Sequence, residues 1–275
     1  MFVISVANQK GGSGKTTTAV NLAACLAMKG CRTLLVDLDP QAQASAFLRI
    51  EDRSPKATVF DGILETRTQG VNADDLYVPI TQRLTLMPSE GITADDEARL
   101  VAQPNRENRL NDLLAGAKGK YDFVVVDCPP TLGMLTRNAL MASNAVLLTV
   151  ETSFLALHGM GRMLNLVQEV RNHKALRVYA LATMFDGRTS FSREVLEDMR
   201  GFFEEMMLDT VIRQNVRLKE AASHGEPIFT YSRSSRGAED YRAMTDELLG
   251  RIITDIEDFK SLVPEYGPDN SATDH

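Results

Sequence analysis

The 275-residue chain has no tryptophan, only three cysteines and no excess of basic residues. Its net charge of −7 argues against a surface that binds nucleic acid throughout, but it leaves room for a local basic patch. Cys25, Cys31 and Cys128 have neither metal-ligand spacing nor the even count of a disulfide framework, so we expect buried thiols in a reducing cytosol. No apolar run is long enough to span a bilayer, and no signal peptide is expected before the first apolar segment.

The most informative segment is the glycine-rich run 10–17, which reads Lys10-Gly11-Gly12-Ser13-Gly14-Lys15-Thr16-Thr17. It follows an apolar run, 1–7, and precedes a helical pattern, 19–28. A strand that runs through a glycine loop into a helix is the context of a phosphate-binding loop. The glycines let backbone N–H groups turn toward phosphates, and the helix dipole adds positive potential. Lys15 would then reach the β- and γ-phosphates, and the Thr16 hydroxyl would hold Mg²⁺.

Two carboxylates and a second lysine accompany this loop. Asp127 ends the apolar run 121–127 and fits a Walker B carboxylate that acts on Mg²⁺ through water. Asp39, in the segment 37–41, would face the γ-phosphate and could hold the attacking water or a metal-bound water. An ordinary phosphate loop needs one lysine, so Lys10 at the start of the loop should point elsewhere or serve a partner subunit.

Strands and helices alternate along the chain. The predicted strands are 2–7, 33–37, 84–88, 122–127, 145–150, 177–184 and 210–212, and the predicted helices are 17–29, 106–115, 160–172, 190–205 and 237–259. Strands that are continuously apolar, such as 33–36 and 123–126, are typical of a sheet covered on both faces. The pattern predicts an α/β fold with a doubly wound, mostly parallel sheet flanked by helices, of the P-loop NTPase type. We expect one ATPase domain over 1–262 and a disordered tail over 263–275.

Three segments together resemble the ParA/Soj partition ATPases, members of the deviant Walker A group that includes MinD and the nitrogenase iron protein. They are the glycine loop 10–17, Asp37-Leu38-Asp39-Pro40-Gln41, and Asp127-Cys128-Pro129-Pro130 followed by Leu132-Gly133. The resemblance continues through 138–140, 185–189, 215–218, 220–225 and 235–238, and therefore covers nearly the whole chain.

The resemblance implies an ATPase in which ATP drives two subunits together with the nucleotides sandwiched between them. Lys10 would cross this interface to the opposite nucleotide, and Asp39 would control the hydrolytic water. The implied ATP-binding residues are Lys10, Gly11, Gly12, Ser13, Gly14, Lys15, Thr16, Thr17 and Asn215, of which Lys10 and Lys15 are catalytic together with Asp39. Thr16, Asp39 and Asp127 would hold Mg²⁺, the carboxylates through water, and segments 39–45 and 127–136 would sense the γ-phosphate.

The resemblance also implies that the ATP dimer binds DNA without sequence preference. Arg188 and Arg217 match the DNA-contacting arginines of the family, and Lys219 and Arg236 are additional candidates. Phosphate contacts from such residues supply affinity without sequence information, and Arg213, Arg217 and Lys219 cluster within seven residues despite the acidic total charge. A cytoplasmic, nucleoid-associated ATPase with slow, partner-stimulated turnover is expected. Its cargo, a plasmid, a chromosome or a protein cluster, and its adaptor or centromere-binding partner stay open.

Three alternatives share the fold. A MinD-like protein needs a membrane-binding C-terminal helix, but Asp255, Glu257 and Asp258 adjoin the apolar residues of 248–256, which favours a core helix. An iron–sulfur protein needs cluster-binding cysteines, whereas Cys128 suits a small buried thiol. A metabolic P-loop enzyme would not require the 39–41 and Arg217 motifs together.

The sequence departs from the family pattern in two places. Arg213-Gln214-Asn215 stands where relatives usually have Pro-Arg-Asn, and the residues before Ala156 are changed in the segment 151–159. We expect His158 in that segment to be a surface or interface histidine. Without an N-terminal helix-turn-helix, sequence-specific operator binding is not expected.

Overall fold

The computed structural model describes residues 1–50, 56–64, 73–153, 157 and 159–254, and its described strands form one seven-stranded sheet. The strands are β1 (Phe2–Ala7), β2 (Thr33–Asp37), β3 (Val78–Pro79), β4 (Leu84–Met87), β5 (Phe123–Asp127), β6 (Ala145–Glu151) and β7 (Arg177–Thr183). Their order across the sheet is β3-β4-β2-β5-β1-β6-β7. All neighbouring pairs are parallel except β3 with β4, so the predicted mostly parallel sheet is confirmed.

Helices cover both faces of the sheet. Those in the described ranges are α1 (Lys15–Met28), α2 (Gln43–Phe47), α3 (Val59–Leu64), α4 (Ala94–Ala102), α5 (Arg109–Ala115), α6 (Met134–Ala142), α7 (Met160–Arg171), α8 (Ser190–Phe203), α9 (Val216–His224), α10 (Ile228–Tyr231) and α11 (Arg236–Thr254). Short 3₁₀ turns span Ala73–Leu76 and Glu204–Met206. Two apolar cores result, one on each side of the sheet.

The alternation of side chains along β5 explains why its apolar run is continuous. Val124 and Val126 enter the core shared with α5 to α8, whereas Phe123 and Val125 enter the core shared with α1 and α11. All of these side chains are fully buried. Because successive residues of a strand point to opposite faces, a strand covered on both sides must be apolar at every position. The same pattern ends at Asp127, where the strand reaches the edge of the core.

Some predicted elements differ from the structure. The strand predicted over 210–212 is wrong: Ile212 donates its N–H to the Ala182 carbonyl and its own carbonyl accepts from Phe185, but only isolated bridges form there. The bridges beside β7 lie at Met207 and Arg213, outside 210–212, so no continuous ladder forms over the predicted strand. The short helices α2, α3, α4, α9 and α10 were not predicted, because fewer than three turns give little periodicity. Residues 255–275, including the predicted tail, lie outside the described residues.

Two further expectations from the sequence are confirmed. Cys25, Cys31 and Cys128 are buried cysteines that are not in a disulfide. On α11, Leu248, Leu249 and Ile252 are at most 1% exposed and belong to the core, as predicted for a core helix, while Ile256 lies outside the described residues. Within the described ranges, no helix is both long and apolar enough to cross a membrane.

Replacing Asn138 with alanine is predicted to destabilise the fold by about 2–4 kcal/mol. The side chain of Asn138 is buried on α6, where its Oδ1 accepts from the Leu110 N–H at 3.1 Å and its Nδ2 donates to the Arg106 and Met134 carbonyls at 2.7 and 2.9 Å. The substitution removes all three hydrogen bonds and takes this partner from the Leu110 N–H and the Arg106 carbonyl. The urea midpoint should fall markedly, whereas the exposed helical residue Asn165→Ala should change little. Equal midpoints for the two variants would contradict this role.

Candidate nucleotide-binding site

The glycine loop lies where the sheet meets helix α1. β1 ends at Ala7 and α1 begins at Lys15, so the loop stands at the carboxyl ends of β1 and its neighbours β5 and β6. Gly12 and Gly14 have φ angles of +75° and +84°. Side chains rarely adopt this left-handed region, so glycine is required at both positions for the chain to turn into the helix. The loop and helix N-terminus together form an anion-binding geometry.

Contacts from β6 and β7 hold the loop in place. The Thr183 hydroxyl donates to the Ser13 carbonyl at 2.9 Å, and the Ser13 and Thr149 hydroxyls are 3.1 Å apart. Asn8 donates from Nδ2 to the Thr149 carbonyl at 2.6 Å and accepts from the Lys10 N–H at 2.9 Å. The loop is therefore preorganised by buried hydrogen bonds rather than shaped by its ligand.

Lys15 is the buried lysine of the loop. Only 6% of the residue is exposed, and its Nζ donates to the Lys10 carbonyl at 3.2 Å. Burial lowers the pKa of Lys15, while the negative charges of Asp127 and Asp39 act in the opposite direction. The ammonium group therefore sits inside the loop with carboxylates around it, where a phosphate would find a poorly hydrated positive charge.

Asp127 supplies an unsatisfied carboxylate next to this lysine. It is fully buried, and neither of its carboxylate oxygens accepts a well-formed hydrogen bond from the described residues, although the nearby Thr16 hydroxyl acts to lower its pKa. Burial and the neighbouring Asp37 raise the pKa of Asp127 well above its ordinary value. A buried carboxylate without donors is costly unless a cation or proton joins it. Its oxygens and the part-exposed Thr16 hydroxyl, which donates to Gln43 at 3.3 Å, fit the hard oxygen donors that Mg²⁺ prefers.

A polar network connects Asp37, which ends β2, and Asp39, which follows it, to Ser45 and Ser89. Asp37 accepts from the Ser45 N–H and hydroxyl, both at 2.7 Å, and burial raises its pKa to about 6. The Ser45 hydroxyl in turn accepts from the Ser89 N–H at 3.0 Å, and the Ser89 hydroxyl donates to the Asp39 carbonyl at 2.7 Å. Asp39 itself is 2% exposed, and burial raises its pKa while the Gln41 N–H and Lys15 act against this. The segment 39–45 is thus tied to the strand that carries Asp37.

Lys10 faces away from the loop interior. Its side chain is 42% exposed, and its Nζ donates to the Glu151 carboxylate and, at 3.1 Å, to the Ser153 hydroxyl. Both partners lie at the carboxyl end of β6. The two lysines of the loop therefore occupy different environments, with Lys15 buried and Lys10 on the surface. The prediction that Lys10 points elsewhere is consistent with this arrangement.

A cavity of about 330 Å³ adjoins the loop and brings Asn215 to it. Residues of the loop, α9 and α11 line it, among them Gly14, Thr17, Asn215, Lys219 and Tyr241. The Asn215 side chain also caps α9, since its Oδ1 accepts from the Arg217 N–H at 2.9 Å. Lys219, predicted to contact DNA, lines this nucleotide-side cavity rather than the basic cavity described next.

The basic residues divide into several environments. Arg188, Arg213 and Arg236 line a second cavity of about 490 Å³. Arg213 is held by Asp240 at 2.6 Å and by Glu239 at 3.4 Å, which gives it a structural role. Arg217 lies outside the lining of this cavity and pairs with Glu220. The structure therefore gathers Arg188 and Arg236 but not all four predicted DNA-binding residues.

Sequence reasoning missed several side chains of the site. Asp37 was noted only as part of a motif, although its carboxylate lies beside Asp127 in the register of β2 with β5. Glu151 was noted only as a departure from the family pattern, although it binds Lys10. Thr149 and Thr183 carry no spacing signal, because they reach the loop from strands more than 130 residues away. His158 lies outside the described residues.

A glycine loop between a strand and a helix, a buried lysine and strand-end carboxylates define a P-loop nucleoside triphosphatase. A family model for the AAA domain matches residues 1–178. The chain is 41% identical to the sporulation initiation inhibitor protein Soj of Bacillus subtilis, over 90% of this chain and 97% of that protein. It is 40% identical to the chromosome partitioning protein ParA of Myxococcus xanthus, over 90% and 88% of the two chains. The chain belongs to the ParA/Soj family of partition ATPases.

Solved structures agree with this placement. A Mycobacterium smegmatis protein described as cobyrinic acid a,c-diamide synthase, with bound ADP and magnesium, is 33% identical with a TM-score of 0.79, covering 93% of this chain and 97% of that one. The cell division ATPase MinD of Pyrococcus furiosus has a TM-score of 0.74 over 91% and 99% of the chains. At 24% identity, the second likeness shows the fold alone.

Asp127→Asn is predicted to stabilise the nucleotide-free protein and to abolish its stabilisation by Mg²⁺ with ATP. The change removes a buried charge that lacks donors and lies beside Asp37. Each kcal/mol gained should raise Tm by about 2–4 °C in a chain of this size, measured by thermal unfolding. Binding of Mg²⁺ and ATP should raise the Tm of the wild type, and this rise should be absent in Asp127→Asn.

Asp122→Asn is the matched control, at the residue that immediately precedes the same strand. Asp122 accepts from the Arg32 guanidinium at 2.6 Å, and hydrogen bonds from Arg32 hold its pKa low against the effect of burial. This variant should lose stability and keep the response to Mg²⁺ and ATP. A lower Tm for Asp127→Asn, with the nucleotide response intact, would contradict the assigned role.

Proposed function

We propose that this chain is an ATPase that binds ATP with Mg²⁺ at the glycine loop, forms an ATP-dependent sandwich dimer and binds DNA without sequence preference as that dimer. Hydrolysis then separates the subunits and releases the DNA, so that cargo is segregated or positioned on the nucleoid. The observation that carries the proposal is the different placement of the two loop lysines: Lys15 is buried inside the loop, whereas Lys10 lies on the surface.

The roles of the buried groups follow from their positions. Loop N–H groups and Lys15 bind the phosphates, and Asn215 binds ATP from the cavity beside the loop. Thr16 would hold Mg²⁺ directly and Asp39 and Asp127 would hold it through water, and the ion would supply charge neutralisation at the phosphates. Asp39 orients the attacking water from the segment tied to Ser89. The structure of a relative with bound ADP and magnesium supports the choice of nucleotide and metal.

Lys10 acts on the nucleotide of the opposite subunit. Its exposed Nζ cannot serve the phosphates that Lys15 already meets from inside the loop, because it is turned toward the end of β6. A second copy that approaches face to face would offer phosphate oxygens in place of Glu151. A lysine supplied in trans adds a point charge where negative charge develops, in the manner of an arginine finger.

DNA binding is assigned to Arg188, Arg217 and Arg236, with Lys219 as a contributor near the nucleotide. All four residues are exposed, and dimerisation doubles their number on one particle. The names of the Bacillus and Myxococcus relatives support partition as the task. Turnover is slow until a centromere-binding protein or cargo adaptor stimulates it, and the protein works in the cytoplasm on the nucleoid.

The name of the Mycobacterium smegmatis relative raises a metabolic alternative, amide synthesis. An enzyme that takes its nitrogen from glutamine through a cysteine nucleophile needs a reactive, accessible thiol. All three cysteines of this chain are buried, and burial raises the pKa of both Cys25 and Cys128. These observations favour the partition ATPase. Production of an amide from a carboxylate substrate, ATP and glutamine would favour the alternative.

Lys10→Ala is predicted to separate ATP binding from dimerisation. It should bind ATP nearly as the wild type does but stay monomeric and hydrolyse no ATP, because only the interaction with the opposite nucleotide is removed. Lys15→Ala, by contrast, should lower ATP affinity by about 10- to 150-fold, the value of one charged hydrogen bond. Binding of a fluorescent ATP analogue and sedimentation velocity measure the two steps. If Lys10→Ala forms the dimer and turns over normally, the trans role is wrong.

Binding to random-sequence duplex DNA tests the proposed function. The wild type should bind with ATP but not with ADP or without nucleotide, and more weakly at higher salt. Arg217→Ala should lower affinity and reduce the salt slope by about one for each DNA phosphate that it leaves unneutralised. Arg200→Ala is the control, since Arg200 is also an exposed arginine paired at i,i+3, with Glu197 at 2.8 Å. Absence of DNA binding in every nucleotide state would reject the proposal.

A further inference from the structure

Two of the arginines assigned to DNA are already occupied by carboxylates of the same chain. Arg188 donates from Nε and Nη2 to the two carboxylate oxygens of Asp186, at 2.8 and 2.7 Å. The Arg188 N–H also donates to Asp186 Oδ1 at 3.1 Å, which fixes the turn between the two residues. These hydrogen bonds lower the pKa of Asp186 to about 2, so the carboxylate is charged under all ordinary conditions.

The second pair is built differently. Arg217 donates from Nη1 to Glu220 Oε2 at 2.7 Å, one turn along α9. The Tyr231 hydroxyl donates to the same oxygen at 3.1 Å and holds the carboxylate in place. Arg217 lowers the pKa of Glu220, which therefore stays charged as well. Among the described residues, Lys219 and Arg236 have no ion-pair partner, so the two occupied arginines stand apart from the other two candidates.

A carboxylate on a guanidinium occupies the site that a phosphate would use. Arginine binds both groups through two parallel N–H donors, and only one such anion can take that face at a time. A DNA phosphate must therefore displace Asp186 to use the Nε and Nη2 donors of Arg188, and at Arg217 it must compete with Glu220 for the Nη1 donor. Exposed pairs of this kind are weak in water and are displaced when many phosphates act together.

We propose that Asp186 and Glu220 are built-in competitors of DNA phosphate that keep the affinity of a single chain low and so make DNA binding depend on the ATP dimer. The inference rests on the proposed DNA binding. A monomer gains few phosphate contacts after giving up its internal pairs. A dimer presents twice as many phosphate contacts to one duplex. Because the contributions of linked contacts multiply in the binding constant, the dimer binds DNA at concentrations at which the monomer does not.

The competing role and a positioning role predict changes of opposite sign. If Asp186 only oriented Arg188 for DNA, removal of its charge would weaken binding. If it competes, the same change strengthens binding. Asp186→Asn is suited to this comparison, since an amide oxygen can still accept the Arg188 N–H that forms the turn. Glu220→Gln likewise keeps an acceptor for Tyr231.

The experiment measures Kd on random-sequence duplex DNA for wild type, Asp186→Asn, Glu220→Gln and the double variant, with ATP, with ADP and without nucleotide. The control is Glu197→Gln, which makes the same change of net charge by removing the partner of Arg200 on α8. Each test variant should bind about threefold or more tightly than wild type in the ADP and nucleotide-free states, and the double variant about tenfold. Glu197→Gln should match wild type, and ATP hydrolysis without DNA should be unchanged in all variants.

Three results would overturn the inference. If wild type binds DNA with ATP, and the test variants bind no more tightly than Glu197→Gln in the other states, the competitor role fails while the proposed function stands. If wild type and all variants fail to bind DNA even with ATP, the proposed function and the inference fail together. A uniform gain that includes Glu197→Gln would show an effect of total charge and would also reject the specific role.

Discussion

The buried charge at the carboxyl ends of β1, β2 and β5 is the constraint on which the site depends. Lys15, Asp37, Asp39 and Asp127 all lie in this region, each at most 6% exposed, and the carboxylates outnumber the ammonium group. Asp127 accepts no well-formed hydrogen bond from the described residues. Such an arrangement is stable only because the surrounding sheet is rigid and packed on both faces, and it favours the arrival of a cation together with phosphates.

Two connections lead outward from this charge cluster. Hydrogen bonds from Asp37 through Ser45 and Ser89 to Asp39 link the strand end to the segment 39–45, so a change at the γ-phosphate could be passed along a continuous polar chain. On the other side, the loop that buries Lys15 also presents Lys10 at the surface. In the proposed dimer, the exposed Lys10 of one subunit would reach the nucleotide bound by the partner subunit. Each nucleotide site would then be built from both subunits.

Local patterns predicted most of the fold and the centre of the site. Buried strands such as β2 and β5 gave continuous apolar runs, and the glycine loop gave a spacing that few other structures need. Contacts between distant segments were not predictable in this way. Three such contacts depend on the order of the strands in the sheet. They are the Lys10–Glu151 ion pair, the hydrogen bond from Thr183 to Ser13, and the register that sets Asp37 beside Asp127. The strand predicted over 210–212 was wrong for a related reason. Apolar residues beside a sheet edge do not by themselves form a continuous ladder of hydrogen bonds.

The most direct test of the account is the mass of the wild-type protein in solution with Mg²⁺ and a non-hydrolysable ATP analogue, compared with Mg²⁺ and ADP. Sedimentation equilibrium over a range of protein concentrations gives this mass without reference to DNA or cargo. The account predicts a dimer with the ATP analogue and a monomer with ADP. A single-chain mass in both states at high concentration, with the analogue bound, would contradict the claim that two subunits build each catalytic site.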